Sequence, residues 1–238
     1  VAFRSPRRLP YATKFRASVK AGTALATGKV VSETREFSFE TPPPSIEWTT
    51  PSDGTGGATL DVAPVVQFNT DVTPETVKPF VRWTKKGGGA VAFTITQPTT
   101  ATTEEEKVLE RRRVTLTPAT KLAKATDYVV ELLAGLVGTE GPIALPSTVR
   151  VNFRTYDPLK VVEVTCGGWS PSDDGCPPWA GFNVQFNNAL PKQPWSGLLE
   201  FTPEVPGLRI DGWGTSLSIH GDFAATTKYT LTISGATK

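Results

Sequence analysis

Two cysteines, one histidine and a few clustered acids are where chemistry would have to originate in this 238-residue chain. Cys166 and Cys176 bound the stretch CGGWSPSDDGC, ten residues apart in a turn-rich setting, with no other thiol present. That arrangement reads as a disulfide, with two free thiols as the alternative. Closing so short a loop stabilises a fold by about 2–3 kcal/mol and implies an oxidising compartment. A zinc site would have to combine the two thiolates with His220, which lies 44 residues past Cys176 with no CxxC spacing. Hydrolysis would need a nucleophile, a base and a group to orient the base. The sole histidine sits in LSIHGDF, where alternation turns Leu217 and Ile219 inward and His220 outward before Gly221. An exposed turn residue describes His220 better than a catalytic base, and no G-x-S-x-G elbow occurs. GTGG at 54–57 and GGG at 87–89 do not lead from a strand into a helix, so they read as hairpin turns and not phosphate cradles. Asp173 and Asp174 fit no EF-hand spacing. The expectation is a protein that is not an enzyme and uses no metal or cofactor.

Binding has one candidate locus. Of six tryptophans, Trp48 and Trp83 fall in strand-like segments and read as core. Trp169, Trp179, Trp195 and Trp213 crowd the last third, and Trp169 and Trp179 flank the expected disulfide and Pro177–Pro178. Packing over a disulfide is one reading. An exposed aromatic patch for a protein or carbohydrate partner is the other, since Trp is enriched at interfaces.

Charge excludes other partners. Lys and Arg number 25 against 23 acids, a net +2, which lacks the basic excess of a nucleic-acid surface. Local runs exist, RSPRR at 4–8 and EEE at 104–106 just before ERRR at 110–113, and the second pair reads as a solvated, mutually compensating hairpin surface. No apolar run approaches the ~18 residues of a membrane span. The chain begins at Val1 and contains no Met, which reads as a processed product, a fragment or an engineered piece, with any signal or anchor outside it.

The elements that would carry these residues are short strands. Gly and Pro number 21 each, Thr and Val are abundant, and helical periodicity is scarce. Three phrases are near copies: LPYATKF at 9–15, LAKATDY at 122–128 and FAATTKY at 223–229. Leu9, Ala12, Thr13, Phe15 and Gly22 align with Leu122, Ala125, Thr126, Tyr128 and Gly135 at a shift of 113. A further shift of 101 gives Phe223, Thr226, Thr227, Tyr229 and Ala236. VVQFNTDV at 65–72 recurs as NVQFNNAL at 183–190, and FSFETPPP at 37–44 as VNFRTYDP at 151–158. A period of about 100–115 residues is that of a domain.

Each phrase has a physical task. In VVQFN, Val66 and Phe68 point inward while Gln67 and Asn69 point outward. Leu122 plugs a sandwich end, and Tyr128, Val130 and Leu132 alternate inward. The hydroxyls of Tyr128 and Tyr229 are placed to bond backbone at a corner. Residues 44–156 are thus expected to form a complete seven-stranded sandwich, with strands near 45–49, 59–69, 79–84, 91–97, 111–117, 127–134 and 148–155. A polar, mobile loop is expected at 98–110. Residues 1–43 hold only the second half of the pattern; residues 157–238 hold the first strands and the corner but lack the closing F-x-T strand. The class is all-β, with the first and last sandwiches incomplete. Their missing halves belong either to a longer tandem array or to a strand-donating partner.

The pattern L-x-P-x-x-x-L-x-x-x-T-x-Y in LTPATKLAKATDY, closing in VNFRT, resembles bacterial Ig-like modules. Tandem units of this kind look like the N-terminal portion of bacterial alpha-2-macroglobulin-like proteins. That resemblance implies a periplasmic or envelope location and a scaffold role in broad-spectrum protease trapping. Implied partners are other domains of the same parent, target proteases or envelope proteins. Similar modules also serve as spacers in adhesins and surface-layer proteins. The family's thioester motif is Cys, any residue, Glu, Gln; here Cys166 is followed by GGW, so that chemistry does not transfer.

Overall fold

The computed structural model describes residues 5–167, 176–190, 195 and 199–233, which separate into two units, Val1–Tyr156 and Asp157–Lys238. The fold is all-β, and the pairings between its strands are antiparallel with one exception.

The first unit opens with the hairpin β1 (Lys14–Val19) and β2 (Arg35–Glu40). Its sandwich follows: β3 (Ile46–Thr50), β4 (Thr55–Ala58), β5 (Val65–Phe68), helix α1 (Pro74–Val77), β6 (Val81–Lys85), β7 (Phe93–Thr96), helix α2 (Glu104–Arg111), β8 (Arg113–Pro118), β9 (Asp127–Leu132) and β10 (Val149–Thr155). One sheet runs β3-β5-β8-β7 and the other β4-β10-β9-β6. Alternation decides which residues lie between them. Tyr128, Val130 and Leu132 of β9 are buried, as are Val66 and Phe68 of β5, Val114 and Leu116 of β8 and Phe153 of β10. Trp83 is 1% exposed, with Phe93 and Phe153 ring centroids at 5.9 and 6.2 Å. Burial of each such side chain favours folding by about 1.5–3 kcal/mol.

Three expectations are corrected here. The segment 98–110 is not a free loop, because α2 occupies most of it. Thr103 caps this helix: its hydroxyl accepts from the Glu106 amide at 3.2 Å, and the Glu106 carboxylate accepts from the Thr103 amide at 3.1 Å. Glu104, Glu105 and Glu106 lie in its positive first turn and Arg111 in its last. Next, 59–69 is not one strand. Val62 donates to the Thr59 carbonyl in a turn, and Pro64 has no amide to give a ladder. Only β5 forms within that segment, and the separate strand β4 before it pairs in parallel with β10, giving eight strands. Lastly, Trp48 is 42% exposed and is not core. The register shifts between Ile46 and Trp48, and the ring lies under the Arg113 guanidinium at 5.1 Å.

Gln67 does leave the inner face as expected, yet it is only 1% exposed. Its amide donates to the Leu109 carbonyl at 3.3 Å and its oxygen accepts from Arg113 Nε at 2.9 Å. Leu109 belongs to α2 and Arg113 begins β8, so the helix and the adjoining strand seal that outer surface.

The second unit contains β11 (Val161–Cys166), β12 (Phe182–Phe186), β13 (Leu199–Thr202), β14 (Arg209–Trp213), β15 (Ser216–His220) and β16 (Thr230–Ile233). One sheet runs β11-β12-β15-β14, and β13 pairs β16. Its core gathers Val184, Phe186, Trp195, Leu217, Ile219 and Phe223, with Phe223 edge-on to Phe182 and Tyr229 at 4.8 and 5.2 Å.

Candidate functional site

The thrice-written phrase builds the same corner three times. Ala12, Ala125 and Thr226, its aligned positions, are the only non-glycine residues with positive φ among the described residues, at 53°, 52° and 54°. This left-handed step is costly for an L side chain, so its recurrence marks a shared constraint. One residue on, Thr13, Thr126 and Thr227 donate their hydroxyls to the carbonyls of Tyr11, Lys124 and Ala225 at 2.8, 2.8 and 3.1 Å. The Tyr128 hydroxyl accepts from the Ala123 amide and the Tyr229 hydroxyl from the Ala224 amide, both at 2.9 Å. In the first copy the aromatic is Phe15, which has no hydroxyl, and the counterpart of Ala123 is Pro10, which has no amide hydrogen. Acceptor and donor are lost together, and no orphan remains.

The closing strand locks the corner. The Thr155 hydroxyl accepts from the Thr126 amide at 3.1 Å and donates to the Ala123 carbonyl at 2.6 Å. Thr41 does the same for Thr13 and Pro10, at 2.9 and 2.7 Å. The amides of Ala12 and Ala125 donate to the carbonyls of Pro42 and Tyr156, each at 2.9 Å.

A second constellation joins the hairpin segment to the sandwich within the first unit. Glu140 accepts both guanidinium arms of Arg8 and the Tyr11 amide, the latter at 2.7 Å. Ile143 donates to the Ala12 carbonyl at 2.9 Å. The Tyr11 ring has two guanidinium groups, those of Arg8 and Arg112, each 5.4 Å from its centroid. Arg112 and Arg111 both pair with Asp71. Gly141 has φ +59°, and a Cβ there would run into the Tyr11 and Ala12 carbonyl oxygens and the Thr13 hydroxyl.

The Arg8 hydrogen bond holds the Glu140 carboxyl below its ordinary 4.5, with burial opposing and the Tyr11 amide assisting. A depressed carboxylate contributes stability that is present above its unfolded pKa and lost as pH falls through its folded one. The protection factor of the Ile143 amide, its exchange measured against the intrinsic rate at each pH, is therefore expected to stay high at neutral pH and to fall below about pH 4.5. An unchanged opening equilibrium down to acid pH would show that the ion pair contributes nothing.

The described tryptophans of the last third do not form one patch. Trp179 and Trp213 are 85% and 86% exposed. Trp213 pairs with Ser216, at the Gln185 end of the sheet, whereas Trp179 precedes Phe182, which pairs with Ile219 at the other end. Trp195 is 6% exposed, in the core, with its indole against Gly212. Trp169, like Asp173 and Asp174, lies outside the described residues. Among those described, no cluster of three His, Cys, Asp or Glu is placed to hold a metal, and no helix is long and apolar enough to cross a membrane. His220 is exposed and ends β15.

A family model described as a bacterial Ig-like domain matches residues 40–155. That span runs from the end of β2 to the closing Thr155, and so encloses both sheets and the corner. Residues 40–155 are a bacterial Ig-like domain. No curated protein sequence matches the chain. Among solved structures, the N-terminal part of the bacterial S-layer protein SbsC is 15% identical at a TM-score of 0.32, covering 81% of this chain and 41% of that one. The LD transpeptidase LdtMt1 in complex with imipenem is 15% identical at a TM-score of 0.31, covering 74% of each. Likenesses this low say nothing of function. The chain spans about two fifths of the S-layer chain.

The Ig-like domain places its repeated phrase at a structural corner. Outside it, Cys166 and Cys176 are joined in a disulfide, with Cα atoms 5.5 Å apart. Alkylation without reductant is expected to label neither thiol. Reduction is expected to cost the second unit about 2–3 kcal/mol, seen as a lower melting temperature of that unit alone. The Glu140–Arg8 joint was not foreseen. Its only sequence trace is TEGP at 139–142, a turn whose charge has no local partner.

Proposed function

We propose that this chain is a non-catalytic spacer and binding segment of an exported bacterial protein, made of tandem Ig-like modules. The joint carries this reading. Glu140, Gly141 and Ile143 of the Ig-like domain hold the backbone of the preceding corner through side-chain and main-chain bonds together. A spacer needs such fixed junctions, because a freely jointed string of modules would not hold a reach or a direction. The disulfide fits an oxidising location in the periplasm or envelope. Exposed Trp179 and Trp213 give the second unit two separate aromatic contacts for a partner.

The phrase-level resemblance favours a second reading, in which these modules are the scaffold of a macroglobulin-type protease inhibitor. Incubating the native protein with trypsin separates the two. The spacer reading expects trypsin to elute free and to keep full activity on protein substrates. Trypsin retained in a complex, active on small substrates but blocked on large ones, would replace it with the inhibitor reading.

A further inference from the structure

One glutamine recurs in both units, and its surroundings differ. Gln67 of the Ig-like domain and Gln185 of the second unit hold the same place in the repeated phrase VQFN. Each lies on an inner strand of a four-stranded sheet, β3-β5-β8-β7 in one and β11-β12-β15-β14 in the other. The pairings match too: Gln67 lies between Trp48 and Arg113, and Gln185 between Glu163 and Ser216. In the Ig-like domain the link from β7 to β8 carries α2, which covers Gln67. In the second unit the corresponding link, from β14 to β15, is Gly214 and Thr215 alone, with no room for a helix. Gln185 is half-exposed where Gln67 is buried. All four strands of this sheet are internal to the chain, so the difference lies in the link and not at either end.

Val184 and Leu217 turn into the core, so Asn183, Gln185, Ser216 and Ser218 turn out. Two rows of polar groups cross the sheet there. One runs Glu163, Gln185, Ser216, Trp213. The next runs Thr165, Asn183, Ser218, Asp211. The rows are ordered from within. Ser216 donates to the Gln185 oxygen, the Gln185 amide donates to the Thr215 hydroxyl at 2.5 Å, and Ser218 donates to Asn183 Oδ1 at 2.8 Å. These bonds fix the Asn183 side chain by its oxygen and use neither hydrogen of its Nδ2. At the end of the first row Trp213 is 86% exposed. It adjoins a turn held by the Leu190 and Phe186 amides, which donate to the Gly214 and Thr215 carbonyls at 2.7 and 2.8 Å. Three strand spacings give the rows a span of about 14 Å.

We infer that this outer face binds a neutral glycan, its rings seated along the rows and one of them stacked on Trp213. A sugar hydroxyl both donates and accepts, as do the amide and hydroxyl side chains of the rows. The apolar face of a pyranose ring suits an indole left in water. Glu163 and Asp211 are the only charges in the rows, so a phosphate, a uronate or a nucleic acid would be repelled. A protein partner would bury an apolar centre, and the centre of these rows is amide and hydroxyl. The inference rests on reading the chain as a binding segment, and it gives one of the two aromatic contacts a ligand class.

The intact, isotope-labelled chain is titrated with cellohexaose and with chitohexaose, two neutral chains of flat rings, and followed by NMR. The side-chain amide signals of Asn183 and Gln185 and the indole signal of Trp213 are expected to move, while those of Gln67 and Trp83 stay in place. Trp213→Ala should weaken binding by about tenfold or more without lowering the melting temperature of the second unit. Asn183→Asp should weaken it as well, by removing the amide donor, and Trp179→Ala should leave it unchanged. No signal change with either oligosaccharide at millimolar concentration overturns the inference. So does binding that survives Trp213→Ala at full strength, or a response to polygalacturonate alone. Each of those results strikes the glycan and leaves the spacer reading standing; capture of trypsin would remove the spacer reading and leave the titration as it is.

Discussion

Tyr128→Ala lowers the stability of the Ig-like domain by about 3–5 kcal/mol, as removal of a large buried ring does. The residue is 4% exposed, and its ring stacks on Phe153 at 5.6 Å. Losing it opens a cavity between β9 and β10 and leaves the Ala123 amide without its acceptor. Tyr128→Phe separates these effects. It keeps the ring and is expected to cost about 1–2 kcal/mol, from the partly buried amide alone. Adding Ala123→Pro should recover most of that, because the Phe15–Pro10 corner already uses this combination. Denaturant midpoints for the unaltered protein, Tyr128→Phe, Ala123→Pro and the double variant form a cycle. A midpoint that hardly moves with Tyr128→Ala sinks the corner assignment; Pro without rescue sinks the account of the paired loss.

Gly141→Val is expected to release the hairpin segment from the Ig-like domain. A β-branched residue at φ +59° costs about 1–3 kcal/mol in backbone strain. The side chain would also displace the Tyr11 and Ala12 carbonyls, and with them the Ile143 bond and the reach from Arg8 to Glu140. Exchange protection at Ile143 should fall by tenfold or more, and trypsin should cut near Arg7 and Arg8 faster, while Val130 and Leu132 keep their protection. Equal loss across the β9 core would mean that the glycine serves the whole sandwich and not the joint.

These two sites differ in how readable they were. The corner was legible because its role is local: a threonine, an aromatic two residues on and a turn before them recur in order, and each copy makes the same threonine hydroxyl bond. β9 was legible for the same reason, its alternation surviving intact. The capping box of α2 was present as Thr103 and Glu106, but charge density around it suggested solvent instead of a cover over Gln67. Trp48 misled because composition cannot show a register shift, and one displaced residue turns a ring from one face to the other. The joint was hidden because Arg8 and Glu140 lie 132 residues apart and nothing local ties them.

The parallel pairing of β4 with β10 gives the Ig-like domain a mechanical grain. Gly54 donates to Asn152 and Tyr156 to Ala58, at 2.8 and 3.0 Å, along strands from opposite ends of the domain. Tension applied through residues 43 and 157 would draw these strands past each other and load their bonds together, not peel them one by one. Any pulling force carried by the chain would thus meet its stiffest resistance at the patch where the beginning of the domain is fastened to its end.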